Sequence, residues 1–293
     1  MFSIKPVIQS YWDWRAAGNF TFGGTGSGLV IMTALAASFL GLAPTIPMVS
    51  ALGFIACGLF LVWLEIGKPW RFLNVYRNPF TSWMSREAYA AAALFATALA
   101  AILRPSPLFL WLAALFALAF LFCQARMLQA SRGIPAWRDG AIVPLVMATG
   151  LAEGTAVLLL FLLAMRTVSV PLGTALIVLL VLRAGAYRIY RDRLRDGRAP
   201  TAVVNRLGEI DRTIWVLGLA APLFFAVLAL AWPLAHGFGM GLAALCALLG
   251  GWYAKVNIVR KLAHVQGLAV RHMPVRGTGR SGASVQPGWP AKR

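Results

Sequence analysis

Long runs of apolar residues follow one another along this chain, separated by short polar and basic segments. Eight runs are long enough to predict membrane-spanning helices, because a hydrocarbon core needs about 20 apolar residues per helix. The predicted spans cover residues 22–43, 47–65, 87–103, 106–126, 141–165, 170–190, 213–234 and 238–256. The runs are dense in Leu and Ala and lack long polar/apolar alternation, a pattern that excludes a membrane β-barrel. The sequence therefore predicts an all-α polytopic membrane protein.

The composition supports this class and suggests three regions. The chain is 60% hydrophobic and only 12% charged, whereas a soluble domain carries about 25% charged residues. We expect an interfacial N-terminal segment at 1–21, an eight-helix transmembrane domain at 22–256, and a basic, largely disordered cytoplasmic tail at 257–293. The first segment is aromatic, and it lacks the apolar core and cleavage site of a secretory signal.

The 27 Lys and Arg residues define an orientation. With eight spans, both termini and the connections after the second, fourth and sixth spans share one side of the membrane, and only Arg104 and Arg166 fall on the other. Basic loops are retained in the cytoplasm, so we expect a bacterial inner membrane protein with both termini cytoplasmic. The net charge of +18 then reflects topology and contact with anionic membrane lipid, and we expect no nucleic acid partner.

Cysteine and histidine are too scattered to hold a redox centre. Cys57, Cys123 and Cys246 lie inside apolar spans and have no CxxC spacing, which argues against an iron–sulfur cluster or a zinc site. The three histidines lie at or beyond the ends of the last two spans, which argues against bis-histidine haem ligation. We therefore expect that this chain ligates no haem, metal or cluster.

The connection between the second and third spans is longer than the 2–8 residues usual in helical bundles, and Glu65 stands at its start. At that end of a helix, the dipole and burial both disfavour a carboxylate. Two interpretations stay open at this point. Glu65 either forms an ion pair with Lys68 or Arg71, or it is a proton-exchanging group with a raised pKa at the membrane boundary.

Two further acids lie in apolar spans. Glu87 follows Ser85, a suitable N-cap, in the predicted first turn of the third span, where the helix dipole stabilises negative charge. A structural and a functional role for Glu87 are equally open. Glu153 lies about midway along the fifth span, where ionisation is costly, and this favours a proton path or ligand contact over a structural hydrogen bond. The glycine-rich run at 23–28 lacks the strand context of a phosphate loop, so we interpret it as a close helix contact.

Two blocks of this region carry a family resemblance. Glu65-Ile-Gly-Lys-Pro-Trp-Arg-Phe, followed by Ser82-Trp-Met-Ser-Arg-Glu87, resembles the signature His-Leu-Gly-x-Pro-x-Arg … Ser-Trp-Leu-Ser-Arg-Glu. That signature is typical of the DmsC/NrfD-like membrane anchor subunits of dimethyl sulfoxide reductase-type molybdenum oxidoreductases. The eight spans, the few histidines and the segment 134–137 extend the similarity over most of the chain. The segments 12–19 and 265–276 further resemble the membrane subunit of the phenylacetyl-CoA:acceptor oxidoreductase branch.

This resemblance implies two four-helix bundles and an oxidoreductase complex of anaerobic respiration. Subunits of this kind anchor an extrinsic four-cluster iron–sulfur subunit and a molybdopterin catalytic subunit. They exchange electrons between that iron–sulfur partner and the membrane quinone, either menaquinone or ubiquinone, without holding the catalytic centre themselves.

The resemblance also implies site residues. The quinone-site acid of the family corresponds to Glu87, its loop arginine to Arg71, and its histidine to Glu65, which is a departure from the pattern. Imidazole titrates near neutral pH, whereas a Glu must be shifted upward to exchange protons there. We expect Glu65 and Glu87 to exchange protons with quinone and Glu153 to lie on a proton path. The expected quinone-binding residues are Lys68, Trp70, Arg71, Trp83 and Arg86.

Two other functions compete with this expectation. A transporter could use Glu153 and the glycine-rich first span as its pathway, but it would be marked by inverted repeats, and no persuasive second copy of the 65–87 block is visible. A passive anchor without a quinone site is the other alternative.

Overall fold

The computed structural model describes residues 4–66, 68–167, 169–232, 236–270, 273–274, 277 and 281–290. Within these ranges, eight helical segments are long and apolar enough to cross a membrane, which confirms an all-α polytopic membrane protein. The helices are α1 (Trp14–Leu40), α2 (Thr45–Trp63), α3 (Trp83–Leu103), α4 (Pro107–Gln129), α5 (Pro135–Arg138), α6 (Ile142–Ala164), α7 (Val170–Arg193), α8 (Thr201–Trp215), α9 (Ala221–Ala231) and α10 (His236–Arg260).

Shorter elements complete the chain. A 3-10 helix (Pro69–Arg77) lies between α2 and α3, and a π-helical turn at Val216–Ala220 joins α8 to α9. The seventh span is therefore the continuous run Thr201–Ala231. After α7 the chain kinks at Asp196 and Gly197, whose backbone angles are not helical. Two-residue strands β1 (Met273–Pro274) and β2 (Ser281–Gly282) pair antiparallel.

Each predicted span coincides with one of these helical segments, and the main differences are at the ends. Helix α1 begins at Trp14 rather than 22, because Asp13 caps it by accepting a hydrogen bond from the Arg15 backbone N–H at 2.7 Å. The seventh span begins at Thr201 rather than 213, and its predicted last residues, 233–234, lie outside the described residues. Helix α10 continues to Arg260, so the first residues assigned to the tail are helical.

Packing divides the membrane helices into two groups of four. Helices α1 to α4 form one group, in which α1 packs on α2 and α4, and α3 packs on α4. Helices α6, α7, α8–α9 and α10 form the other, in which α6 packs on α7 and α10, and α9 packs on α10. The groups meet where α1 and α4 contact α6, and where α1 contacts α10. Helices α1 and α6 are therefore central.

The α1–α6 contact depends on glycine. A Cβ placed on Gly28 of α1 would overlap the backbone of Gly150 in α6, and a Cβ placed on Gly154 would overlap the backbone of Gly28. Only residues without a side chain let the two helix axes approach this closely. The glycine-rich segment of α1 is thus a helix-packing surface.

The N-terminal segment and the described residues after α10 lie together at one end of the bundle. Backbone amides donate from Gln9 to Ala263 at 2.8 Å, from Val265 to Val7 at 2.8 Å, and from Leu268 to Ile4 at 3.1 Å. The predicted disorder of the tail falls partly on residues 271–272, 275–276, 278–280 and 291–293, which lie outside the described residues. Both ends of the described chain therefore share one side of the bundle, as an even number of spans requires.

Two of the cations that we assigned to the basic side are not there. Arg183 of α7 and Lys255 of α10 are buried inside the bundle, with exposed fractions of 1% and 3%. The assignment failed because each cation was counted toward the nearest helix end, whereas these two side chains face neighbouring helices at depth.

Replacing Gly154 with Val should destabilise the fold, because the new side chain has no space against the α1 backbone. Overpacking of this kind costs about 1–3 kcal/mol. The thermal midpoint of the purified protein in detergent measures the loss. Gly185→Val on α7 is the control, since a Cβ there meets no atom within 4 Å. Equal midpoints for the two variants would contradict the close α1–α6 contact.

Candidate functional site

An apolar cavity of about 530 Å³ lies between α1, α2, α3 and the 3-10 helix. Most of its lining consists of aliphatic and aromatic side chains, and four polar residues interrupt it: Asn19, Arg71, Tyr76 and Glu87. Apolar cavities of this size with a few placed polar groups are typical of small-molecule sites. The cavity is therefore the strongest candidate for a ligand site in the described part of the chain.

Glu87 contributes a carboxyl group to the cavity lining and is only 5% exposed. The Asn19 side-chain amide donates to its Oε1 at 3.5 Å, and the Gln124 side chain approaches the same carboxyl group from α4. Gln124 also donates to the Asn19 backbone carbonyl at 3.2 Å. Among the described residues, no cation lies within ion-pair distance of Glu87. Glu87 is therefore a carboxyl group held by neutral amides beside apolar space.

The start of α3 differs from the sequence prediction. Ser82, not Ser85, is the N-cap, and its hydroxyl accepts from the Ser85 backbone N–H at 3.3 Å. Glu87 consequently lies in the second turn, beyond the first turn to which helix-dipole stabilisation is confined. The predicted N-cap at Ser85 and the predicted first-turn position of Glu87 were therefore wrong. Helix-dipole stabilisation does not account for Glu87, and its distinguishing feature is that it lines the cavity.

Of the three expected site residues in or just before the 3-10 helix, one reaches the cavity. Arg71 lines the cavity. Trp70 is 84% exposed and Lys68 is also exposed, and neither lines the cavity. Consecutive residues of a helical turn point in different directions, so Arg71 can face the cavity while Trp70 faces outward.

Trp83 and Arg86 lie on another face of α3. The guanidinium groups of Arg86 and Arg126 both contact the Trp83 ring, at 4.3 and 4.8 Å from its centre. Arg86 also donates to the carbonyl groups of Pro79 and Phe80, at 2.8 and 2.6 Å. Arg86 therefore holds the connection onto α3 and Trp83 packs toward α4, and neither lines the cavity.

Glu65 stands just after α2 and is half-buried. Within the described residues it makes no ion pair with Lys68 or Arg71, so the structure lacks the first of the two arrangements considered for it. Burial, with a smaller contribution from the nearby Asp13 charge, raises the pKa of Glu65, and Arg15 opposes this. Glu65 lies beside the cavity without lining it.

A second polar cluster lies in the bundle centre around Glu153, which is fully buried. Lys255 of α10 donates to Glu153 Oε2 at 2.5 Å, and the Thr25 hydroxyl of α1 donates to the same oxygen at 2.7 Å. Trp252 donates to the Thr25 hydroxyl at 3.0 Å. Arg183 interacts electrostatically with Glu153 and donates to the Ala247 carbonyl at 3.1 Å. Glu153 is therefore paired rather than isolated.

The sequence analysis missed several members of these two clusters. Lys255 and Arg183 were counted as loop cations, although each lies within a helical run with apolar neighbours. Asn19 and Gln124 were not predicted as site residues. They could have been, because each is an amide side chain within an apolar helix. Tyr76 had no distinguishing signal, because its place at the cavity follows from the course of the 3-10 helix.

No protein-family model matches this chain, and no curated protein matches its sequence. Among the described residues, no group of three or more His, Cys, Asp or Glu side chains is placed to hold a metal ion. The features of this chain that point to a function are the cavity with Glu87 and Arg71, the buried cluster around Glu153, and the motif resemblance.

Replacing Lys255 with Met should destabilise the protein by about 3–5 kcal/mol, because a buried carboxylate loses its cation. The double variant Lys255→Met/Glu153→Gln should not recover this loss, because it leaves the buried Arg183 without the acid that faces it. Denaturant unfolding of the purified chain in mixed micelles measures both changes. A single variant as stable as the wild type would contradict the ion pair.

Glu65 gives a pH-dependent prediction. Its pKa is raised on folding, so its favourable contribution is present below the pKa of the unfolded chain, near 4.3, and is lost as the pH rises through the folded-state value. Glu65→Gln should therefore raise the thermal midpoint at pH 7 and leave it unchanged near pH 4. Glu209→Gln, at an exposed site of α8, is the control. A lower midpoint for Glu65→Gln at pH 7 would show that the charged form is stabilised.

Proposed function

We propose that this chain is the quinone-reactive membrane anchor of a molybdopterin and iron–sulfur oxidoreductase complex. The observation that carries the proposal is the apolar cavity whose wall holds Glu87 and Arg71. The same two residues are those to which the family resemblance assigns the quinone-site acid and the loop arginine.

The residues present fit a quinone. Its ring is flat and largely apolar, with oxygens at opposite ends, and the cavity combines an apolar lining with polar groups contributed by different elements. Phe60 and Met84 line the cavity and are also exposed on the outer surface of α2 and α3. A lipid-soluble ligand can therefore enter from the bilayer between these helices.

A bound quinone supplies two-electron, two-proton chemistry at this site. The Arg71 guanidinium is placed to donate a hydrogen bond from the 3-10 helix. The Glu87 carboxyl group is placed to hold or release a proton at the inner wall, and the Asn19 amide orients it. Glu87 and Asn19 are buried at the cavity, whereas Arg71 of the 3-10 helix stays exposed. Tyr76 offers a further hydroxyl on the side of the 3-10 helix.

The proposal includes partners and a location. The connection beside the cavity exposes Trp70 at 84% and Phe80 at 90%, next to the cations Lys68 and Arg77. This mixed apolar and basic surface suits an extrinsic iron–sulfur subunit, which would bring its electrons close to the cavity and join the chain to a molybdopterin subunit. The basic side of the bundle would then face the cytoplasm of a bacterial inner membrane.

The transporter alternative gains no support from the arrangement of its expected pathway. Glu153 is paired with Lys255, and the glycine-rich face of α1 is packed directly on α6. A passive anchor remains the alternative against which the proposal must be tested.

Quinone-analogue binding tests the proposal. Quenching of tryptophan fluorescence by a short-chain ubiquinone or menaquinone analogue, measured on the complex purified through this chain, should reveal a saturable site. Ala88→Trp, which fills the cavity, and Glu87→Gln should each weaken binding about tenfold or more. Ala92→Trp, on an exposed position of the same helix, should leave the affinity unchanged.

The same preparation separates the anchor from its alternatives. Iron and molybdenum that co-purify with the chain are expected for an oxidoreductase anchor. Metals together with unchanged quinone affinity in Ala88→Trp would indicate a passive anchor. A preparation without iron would contradict the proposed function as a whole.

A further inference from the structure

The charged residues buried within the membrane-spanning helices, over the described ranges, are two acids and two bases. They are Glu87 of α3, Glu153 of α6, Arg183 of α7 and Lys255 of α10, and none is more than 5% exposed. The other buried carboxylic acid and the buried histidine that the structure describes, Asp139 and His264, lie outside these helices, and the thiol of Cys123 and the phenols of Tyr187 and Tyr190 are buried within α4 and α7. The net charge of the bundle interior therefore depends on which of these four side chains, two acids and two bases, are ionised.

The central cluster is unbalanced by itself. Glu153 carries one negative charge, whereas Arg183 and Lys255 together carry two positive charges when both are protonated. A net charge buried in the bilayer region is costly. Glu87 is the remaining buried acid, so the interior is neutral when Lys255 and Glu87 are both ionised, and also when both are neutral.

Gln124 of α4 lies beside Glu87 and borders the same space as Lys255. Its side chain approaches the Glu87 carboxyl group, and its Nε2 donates to the Asn19 carbonyl. Its buried Oε1 has no hydrogen-bond partner among the described residues. The Gln124 Oε1 atom and the Lys255 Nζ atom both border the space left by Gly24, at 3.9 and 2.8 Å from the point that a Cβ of that residue would occupy.

We propose that Lys255 and Glu87 share one proton, which moves between them past Gln124 and the Gly24 space. In the step toward the cavity, one N–H bond of the Lys255 ammonium breaks and one O–H bond forms on the Glu87 carboxylate. Lys255 is left as a neutral amine, and no electron moves. This inference rests on the proposed function, because a proton held at Lys255 would supply Glu87 when Glu87 gives its own proton to a quinone.

The neighbouring groups leave Lys255 as the exchanging member of the cluster. Glu153 is fixed as a counter-ion by hydrogen bonds from Lys255 and Thr25, and an arginine such as Arg183 does not release its proton in proteins. The remaining contact of the Lys255 amine is the uncharged Thr21 carbonyl at 3.1 Å. Around Glu87, the titratable or charged neighbours are Cys123 on α4 and, across the cavity, Arg71 and Tyr76.

The charge of Lys255 in the Glu87→Gln variant is the first test. The isolated chain, labelled with ¹⁵N-lysine and placed in lipid nanodiscs at pH 7, gives distinct Nζ signals for ammonium and amine. We expect the Lys255 ammonium signal to decrease at least twofold in Glu87→Gln, because no second acid then balances it. Lys68 and Lys261 serve as internal controls, and Glu209→Gln is the matched variant. An unchanged Lys255 signal overturns the proposal.

The protonation of Glu87 in the Lys255→Arg variant is the second test. Arginine keeps the ion pair with Glu153 but has no proton to give. The infrared C=O stretch that Glu87→Gln removes from the wild-type spectrum should therefore also be lost in Lys255→Arg. A band of wild-type intensity in Lys255→Arg overturns the proposal, and so does a wild-type chain without this band between pH 5 and 9.

These readouts are independent of quinone. If Lys255→Arg does not fold, the lysine signal in Glu87→Gln still decides the question. If both spectroscopic tests fail and quinone still binds, only the proposal of a shared proton is refuted. The converse result, a shared proton without quinone binding, would remove the proposed function.

Discussion

The hydrogen-bonded ion pair between Glu153 and Lys255 is the interaction around which the bundle is arranged. It joins α6 to α10, and the Thr25 hydroxyl adds α1 to the same carboxylate oxygen. Removing Glu153 would leave Arg183 and Lys255 as two buried cations, and removing Lys255 would leave the Glu153 carboxylate without the cation that is hydrogen-bonded to it. The glycines of α1 and α6 have a related role, because they let the central helices approach closely enough for these side chains to meet.

Helix α1 connects this centre to the cavity. Asn19 lies at the cavity and Thr25 at the ion pair, so the two positions are separated by about 9 Å along the helix at 1.5 Å per residue. Gln124 of α4 lies between them and contacts the α1 backbone at Asn19. A line of buried polar groups thus runs from the Glu87 carboxyl group to the bundle centre. In an apolar bundle, a row of buried polar side chains is typical of a site that binds a charged group or transfers protons.

Hydropathy alone predicted the eight spans, because a bilayer imposes a minimum length of apolar helix that is readable from any window of sequence. It could not locate the starts of α1 and the seventh span, because polar residues continue both helices. Asn19 and Thr21 are buried in α1, whereas Arg206 and Glu209 are exposed on α8. The same limitation led Lys255 and Arg183 to be assigned to the basic side. Glu87 and Arg71 could be singled out from their motif, whereas the cavity that joins them depends on the separation of α2 from α3 and on the path of the 3-10 helix.

The central claim is that a quinone binds between α1, α2 and α3 against Glu87. Photoaffinity labelling with an azido-quinone, followed by mass spectrometry of the labelled peptides, locates the bound head group directly. The account requires the label on residues 59–91, above all on the cavity-lining parts of α2, the 3-10 helix and α3, and competition by unlabelled quinone. Specific labelling confined to α6–α10, or no competable labelling at all, would contradict it.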